Sequence, residues 1–565
     1  MATQERTPIL PTSAAAVAAS SPARRPLPLA MAWAALGAAA LLATSALLTP
    51  FSSSSAEAEL QTATSFHAHP QDTPYPPGPD GERELLPFCD ERFFTVPLDH
   101  FAGATAEAGS FELRYFVCAP EHFDPEEGAI FFYVGNEADV TLYLNHTGLM
   151  WENARDFGAL MVFAEHRYFG KSIPFGLDVL DHMEFLSTQQ ALADYAELIE
   201  HLKREIHADV PVVGFGGSYG GMLGTWFRLK YPHIIDGVIA GSAPVLAFLG
   251  DNDGALNSEG FNRVITYDMS EDAGSAPNCI DNTRRAVAAT KELGGSAAGR
   301  QQLTEIFRLC DADALQSAED VDDLIDGALG VFGSLAMGNY PYPSSYIMEG
   351  KSDLPAYPVR AACSYLGEDF AESDTAGLVA GLRDAAGIML NSTGDLQCFF
   401  PSPAAQSDAV ESKQDKIDAK GNFWSYLECS ELYMPFSTDG LHDIFPPSAV
   451  NQTQDDENCF AEWGVHLKPY WAQTEYGGVK ALRSASNIVF SNGNFDPWSA
   501  TGVRESLSDS VVAVHVEGGA HHLDLMFSHP LDTKAVKRAR AIELEHIQKW
   551  IDEFYRAKKR HHRDL

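Results

Sequence analysis

The sequence predicts an α/β fold: a parallel sheet flanked by helices and interrupted by one large, mainly helical insertion. Three observations carry that prediction. Short apolar runs alternate with amphipathic helical stretches over residues 87–246 and again over 465–558, the rhythm of strand–helix–strand units with right-handed crossovers. Between them, over 247–464, the strand rhythm stops and helical stretches and loops hold Cys279, Cys310, Cys363, Cys398, Cys429 and Cys459. At the centre of the first block, Pro211-Val-Val213 leads into a glycine-flanked serine and then an amphipathic run, which reads as strand, tight turn and helix.

The ends of the chain read differently. Residues 1–28 are polar and Ala/Pro-rich, with Arg24 and Arg25 just before an apolar run, 29–48, that holds no charge. That run is long enough to span a bilayer. It reads either as an uncleaved signal anchor, which its length favours, or as a signal peptide with a long polar start. Either way the rest of the chain enters the secretory pathway, to a lysosomal or vacuolar lumen or the cell exterior. Residues 49–86 are a Ser-, Pro- and Gly-rich linker, and 559–565 form a basic tail. Eight cysteines suit an oxidising compartment. Sequons at Asn145, Asn391 and Asn451 are permissive for glycosylation there. A formal charge of −39 and a pI near 4.7 argue against a nucleic-acid partner and suit either an acidic compartment or a generically acidic secreted surface.

Taken in order, Cys89 and Cys118 bracket two alternating runs that read as a β-hairpin. Residues 129–134 and 160–164 are continuous apolar runs, as in buried strands. A helical stretch over 188–205 precedes the serine-bearing strand, and 237–241 is a further short strand. After the insertion, strands return at 488–491 and 511–516, and a helix over about 533–558 closes the fold. The insertion is placed over the carboxyl edge of the sheet, where open α/β sheets bind ligands.

Gly216-Gly-Ser-Tyr-Gly220 fits the G-x-S-x-G elbow of the α/β-hydrolase fold, in which a sharp turn lifts a serine hydroxyl above the sheet. A serine hydroxyl is a weak nucleophile and needs a base held by a third group. In this fold the acid and then the histidine follow late strands. Asp496 follows the run 488–491, and His521 and His522 follow 511–516 in a Gly-rich loop. The second histidine could serve by geometry alone, so the pair stays ambiguous at this level. The oxyanion hole should use the N–H of Tyr219 with one from the loop Gly135-Asn136. No zinc-ligand spacing, phosphate loop or dinucleotide fingerprint occurs, so neither metal nor cofactor is implied.

Gly135-Asn-Glu-Ala-Asp139, Val162-Phe-Ala-Glu-His-Arg-Tyr-Phe-Gly170, Gly216-Gly-Ser-Tyr-Gly-Gly-Met222, Ser491-Asn-Gly-Asn-Phe-Asp-Pro-Trp498 and Gly519-Ala-His-His-Leu-Asp-Leu525 resemble the lysosomal Pro-X carboxypeptidase and dipeptidyl peptidase II family of serine exopeptidases, over about residues 88–554. The resemblance implies Ser218 as nucleophile, Asp496 as orienting acid and His521 as base. It implies disulfides Cys279–Cys363, Cys310–Cys398 and Cys429–Cys459, leaving Cys89 and Cys118 as a further bridge or as two free thiols. It also makes a homodimer plausible. Peptides with proline or alanine at the cleavage site are the implied substrates, and the compact ring of proline calls for an apolar, aromatic pocket. Trp498 leads as its lining, with Trp424, Tyr426 and Met434 behind it. Glu137 is the candidate to hold a free α-amine. Gly241-Ser-Ala-Pro-Val-Leu246 and the loop after His521 look closer to the dipeptidyl peptidase II branch; a Pro-X carboxypeptidase is the alternative. A lipase or esterase, or a non-catalytic binding protein, is more distant. Ala138, Ala500-Thr501 and Met526 depart from the family's pattern, the last at a position usually held by arginine.

Overall fold

The computed structural model of the chain describes residues 84–564 apart from 104–108, 251–257, 311–314, 399, 401–411 and 421. The predicted polar start, the apolar run 29–48 and nearly all of the linker therefore lie outside the described residues. Among those described, no helix is long and apolar enough to cross a membrane.

Eight strands form one sheet: β1 Cys89–Pro97, β2 Ser110–Cys118, β3 Ala129–Tyr133, β4 Ala159–Ala164, β5 Val212–Gly217, β6 Gly237–Gly241, β7 Ile488–Gly493 and β8 Val511–Val516. Their spatial order is β1-β2-β4-β3-β5-β6-β7-β8. From β4 to β8 the pairing is parallel. The predicted parallel sheet is extended at one edge by an antiparallel hairpin, β1 with β2, and β2 pairs antiparallel with β4. A short turn can join antiparallel neighbours, whereas each parallel pair needs a crossover.

The apolar runs are continuous because both faces of the central strands are covered. Along β3, Ile130 and Phe132 enter one core while Phe131 and Tyr133 enter the other. The first core takes Leu192, Tyr195, Leu198, Ile199 and Leu202 from the helix Thr188–Glu205, whose start is capped by Ser187 accepting from the Gln190 N–H. The second takes Val536, Ile547, Trp550 and Ile551 from the helix Lys534–Asp564. Trp550 lies flat against Gly237, where a Cβ would come within 2.1 Å of its ring. That last helix continues through the basic tail to Asp564.

Residues between β6 and β7 form the helical insertion. Disulfides Cys279–Cys363 and Cys429–Cys459 each join two of its helices, and Cys310–Cys398 closes a third loop. Cys89 and Cys118 are register partners in the hairpin and are also bonded, which resolves the alternative left open by the sequence. No cysteine is free. The sheet, its two covered faces and the strand–elbow–helix at its middle make this an α/β-hydrolase fold with a mainly helical, disulfide-stapled cap.

Candidate active site

Ser218 sits between β5 and the helix Tyr219–Lys230 with φ 57° and ψ −126°. A positive φ costs an L residue of order 1–3 kcal/mol, so the surroundings must impose it. Three glycines make room: a Cβ at Gly216 would meet the Gly220 carbonyl at 2.2 Å, at Gly220 the Val134 carbonyl at 2.8 Å, and at Gly221 the Ala243 methyl at 2.9 Å. Tyr219 is the first residue of the helix, so its N–H has no partner within the helix and is available to a ligand. Its phenol meets His166 Nε2 at 3.1 Å and its ring packs edge-on to Trp424.

Asp496 and His521 come together from the loops after β7 and β8. His521 Nδ1 lies 3.0 Å from Asp496 Oδ1, and both side chains are buried. With Asp496 ionised, Nδ1–H donates and Nε2 is left as the free acceptor. Asp496 Oδ1 also accepts from the Trp498 N–H at 3.1 Å, which fixes the carboxylate at the start of the 3-10 turn Pro497–Thr501. His522 points away. Its backbone N–H donates to Ser242 Oγ, and its ring packs beneath Gly217 and edge-on to Tyr346. Burial, reinforced by the neighbouring His521, holds its pKa well below the ordinary histidine value. Of the pair, His521 is the one in contact with Asp496.

Ser218 and His521 line one cavity of about 360 Å³. Its walls also include the predicted Glu137, Tyr219, Trp424, Met434 and Trp498. Tyr426 is not among them; it packs edge-on to Trp463, as a core residue would. Gly135 and Asn136 are set back one layer as well. The Gly135 carbonyl accepts from Tyr195 and Asn136 accepts from Tyr133, so Glu137 and Ala138 present that loop to the cavity. Glu137 is half-buried as a residue, yet its Oε2 is sealed from solvent without a partner, and burial raises its pKa. The sequons differ in exposure: Asn451 is exposed at a helix start, whereas Asn145 and Asn391 are half-buried.

Several wall residues escaped the sequence reading. Gly327, Gly330, Ser334 and Met337 form one stripe of the helix Ala318–Met337 that faces the cavity. The stripe was visible as small residues at helical spacing, but such a stripe is as often mere packing. Phe261 stacks edge-on to Trp498 at 4.8 Å and completes the aromatic part of the wall. Among the described residues no cluster of His, Cys, Asp and Glu could hold a metal ion.

A serine on a strained elbow, sharing a cavity with a histidine that a buried carboxylate holds, is the kind of site that defines serine hydrolases. The chain belongs to the serine carboxypeptidase S28 family, whose model matches residues 96–543, and it is a serine-type peptidase. It is 39% identical to the lysosomal Pro-X carboxypeptidase of Homo sapiens over 468 residues, covering 82% of this chain and 88% of the relative. Similarity to the prolyl carboxy peptidase like protein 5 of Caenorhabditis elegans is 35% over 82% of this chain and 90% of that one. The thymus-specific serine protease of Mus musculus is 27% identical over 80% and 86%. Among solved structures, the proline iminopeptidase of Mycobacterium smegmatis aligns remotely, at 11% identity and a TM-score of 0.34, over 81% of this chain and 99% of that one.

Proposed function

We propose that this peptidase cuts the bond after a proline near a chain end, with Ser218 as nucleophile, His521 as general base and Asp496 as its orienting acid. The observation that supports this most is the buried His521–Asp496 pair opening onto the cavity that Ser218 shares. Ser218 Oγ attacks the scissile carbonyl while His521 Nε2 takes its proton; the same proton then goes to the leaving amine. The Tyr219 N–H faces the oxyanion, with a second donor from the loop Gly135–Glu137. Water hydrolyses the acyl-enzyme by the same steps in reverse. The proline ring sits against Trp498, Phe261 and Met337, where burying an apolar ring needs no hydrogen-bond partner.

The direction of attack follows the relatives named Pro-X carboxypeptidase, so release of a C-terminal residue is the reading we adopt. Glu137 is compatible with it. Its burial raises the carboxyl's pKa and so favours the protonated form, which can donate to a substrate carboxylate. The dipeptidyl peptidase II-like reading is the second, favoured by Glu137 and Glu349 lying on the same wall, where two acids would attract a free α-amine. The lysosomal relatives and the four disulfides support a lysosomal lumen as the place of action.

One paired assay tests both directions. Purified lumenal protein at about pH 5 is offered an N-blocked peptide ending Pro-Phe and a Lys-Pro amide with a free amine, with Ser218→Ala as control. Cleavage of the first alone is expected, and cleavage of the second alone moves the reading to a dipeptidyl peptidase. If neither is cut, or Ser218→Ala cuts as fast as the parent, the proline-specific serine mechanism is wrong.

A further inference from the structure

The cap does more than roof the cavity. His521 lies on the loop after β8, yet both its backbone groups are bonded to the cap. Its N–H donates to the Met337 carbonyl at 3.1 Å, and its carbonyl accepts from Tyr340 Oη at 3.0 Å. Met337 ends the helix Ala318–Met337, where carbonyls have no partner within the helix and must find one outside. Tyr340 follows one short turn later and is buried to 1% exposure. Its main chain is held on both sides, since its N–H donates to the Gly338 carbonyl and its own carbonyl accepts from the Tyr357 N–H at 2.7 Å. Its burial keeps the phenol protonated at any physiological pH, so it remains a donor.

The same cap residue also touches the pocket. Trp498 Nε1–H points at Met337 Sδ at 3.2 Å, so Met337 meets the base through its carbonyl and the proline-pocket tryptophan through its sulfur. Trp498 in turn donates its backbone N–H to Asp496. Pocket, base and orienting acid are thus joined through the last residues of a cap helix more than 150 positions away in sequence.

We infer that Tyr340 is a positioning residue for His521, and that the cap, through Met337 and Tyr340, is what sets the base at working distance from Ser218. The inference rests on the reading that Ser218, His521 and Asp496 carry the reaction. Without the Tyr340 hydroxyl the His521 carbonyl is left buried and unpaired, and the loop relaxes away from the geometry that proton transfer requires.

Tyr340→Phe removes one oxygen and keeps the ring, and Met337→Leu removes the sulfur while keeping the carbonyl. Steady-state cleavage of the N-blocked Pro-Phe peptide, the rate of covalent labelling by a serine-directed phosphonofluoridate, and thermal unfolding are measured on both variants and the parent. For Tyr340→Phe, kcat and the labelling rate should fall together by about tenfold with KM nearly unchanged, the size expected of one lost buried hydrogen bond. For Met337→Leu the main change should be a several-fold rise in KM. If Tyr340→Phe keeps the parent's kcat and labelling rate, or if both variants change kcat and KM alike, the positioning role is overturned while the serine mechanism stands. If the parent itself neither cleaves nor is labelled at Ser218, the mechanism and this inference fall together.

Discussion

At Ser218 the chain holds an L residue at a positive φ, and the three glycines around it leave no space for any side chain. This local pattern is why the elbow serine could be found from sequence. The histidine pair shows the opposite case. Adjacent residues on one loop have equal claims by sequence, and only the directions of their side chains separate them. His521 meets Asp496 at 3.0 Å, whereas His522 is packed among Gly217, Gly241 and Tyr346. Substituting His521 by Ala is expected to lower kcat by about 10⁴-fold or more, as loss of a triad base does elsewhere. His522→Gln should retain far more activity and lose stability instead. Rates for the two variants measured on one peptide check this; equal losses in kcat would reverse the assignment.

The element that most constrains the base loop from below is the C-terminal helix Lys534–Asp564. Arg540, buried in its first turns, donates to the carbonyls of Leu523, Asp524, Met526 and Phe527 and pairs with Asp532. One guanidinium thus satisfies four carbonyls of the loop that follows His521, and its five donors in a planar fork suit that task. Met526 takes part through its carbonyl, which accepts from Arg540, and not through its side chain. Arg540→Met leaves Asp532 buried without its cation, and such a break costs about 3–5 kcal/mol. The unfolding midpoint in urea should therefore shift clearly downward. A midpoint equal to the parent's would mean that the loop is held by other contacts. Nothing in the local pattern of the helix identified Arg540, because its acceptors are carbonyls of a loop whose path only the fold sets.

Over the whole molecule, buried titratable groups tie stability to an acidic setting. Burial pushes Glu428 up to about 8 and Glu431 up to about 7, so both stay protonated when folded while an unfolded chain would ionise them. The unfolded state then binds fewer protons, and stability falls as pH rises from the ordinary carboxylate value through those raised values. His166, pushed down to about 4 by burial, acts in the other sense: the unfolded chain gains a proton below about 6.5, so its contribution is lost as pH falls from there towards 4. Above 6.5 only the carboxyl effect remains. The unfolding temperature should drop between pH 6.5 and 8, and Glu428→Gln should flatten that slope; an unchanged slope would remove Glu428 as a cause.

The sequence alone determined the elements whose cause is local or periodic. Continuous apolar runs marked the buried strands, glycines marked the elbow, and the order serine, acid, histidine marked the loops that meet over the sheet. The cap was legible as a break in rhythm, and the family resemblance supplied three of the four disulfide pairs; the hairpin pair needed the register of β1 against β2. Tertiary structure decided which histidine faces Asp496, that Tyr426 is turned from the cavity, and that Glu137 rather than Asn136 forms its wall. It also decided that both backbone groups of His521 are bonded to Met337 and Tyr340 of the cap. The reason is physical: a side chain's direction and a backbone group's distant partner depend on contacts between segments far apart in sequence, which no local pattern encodes.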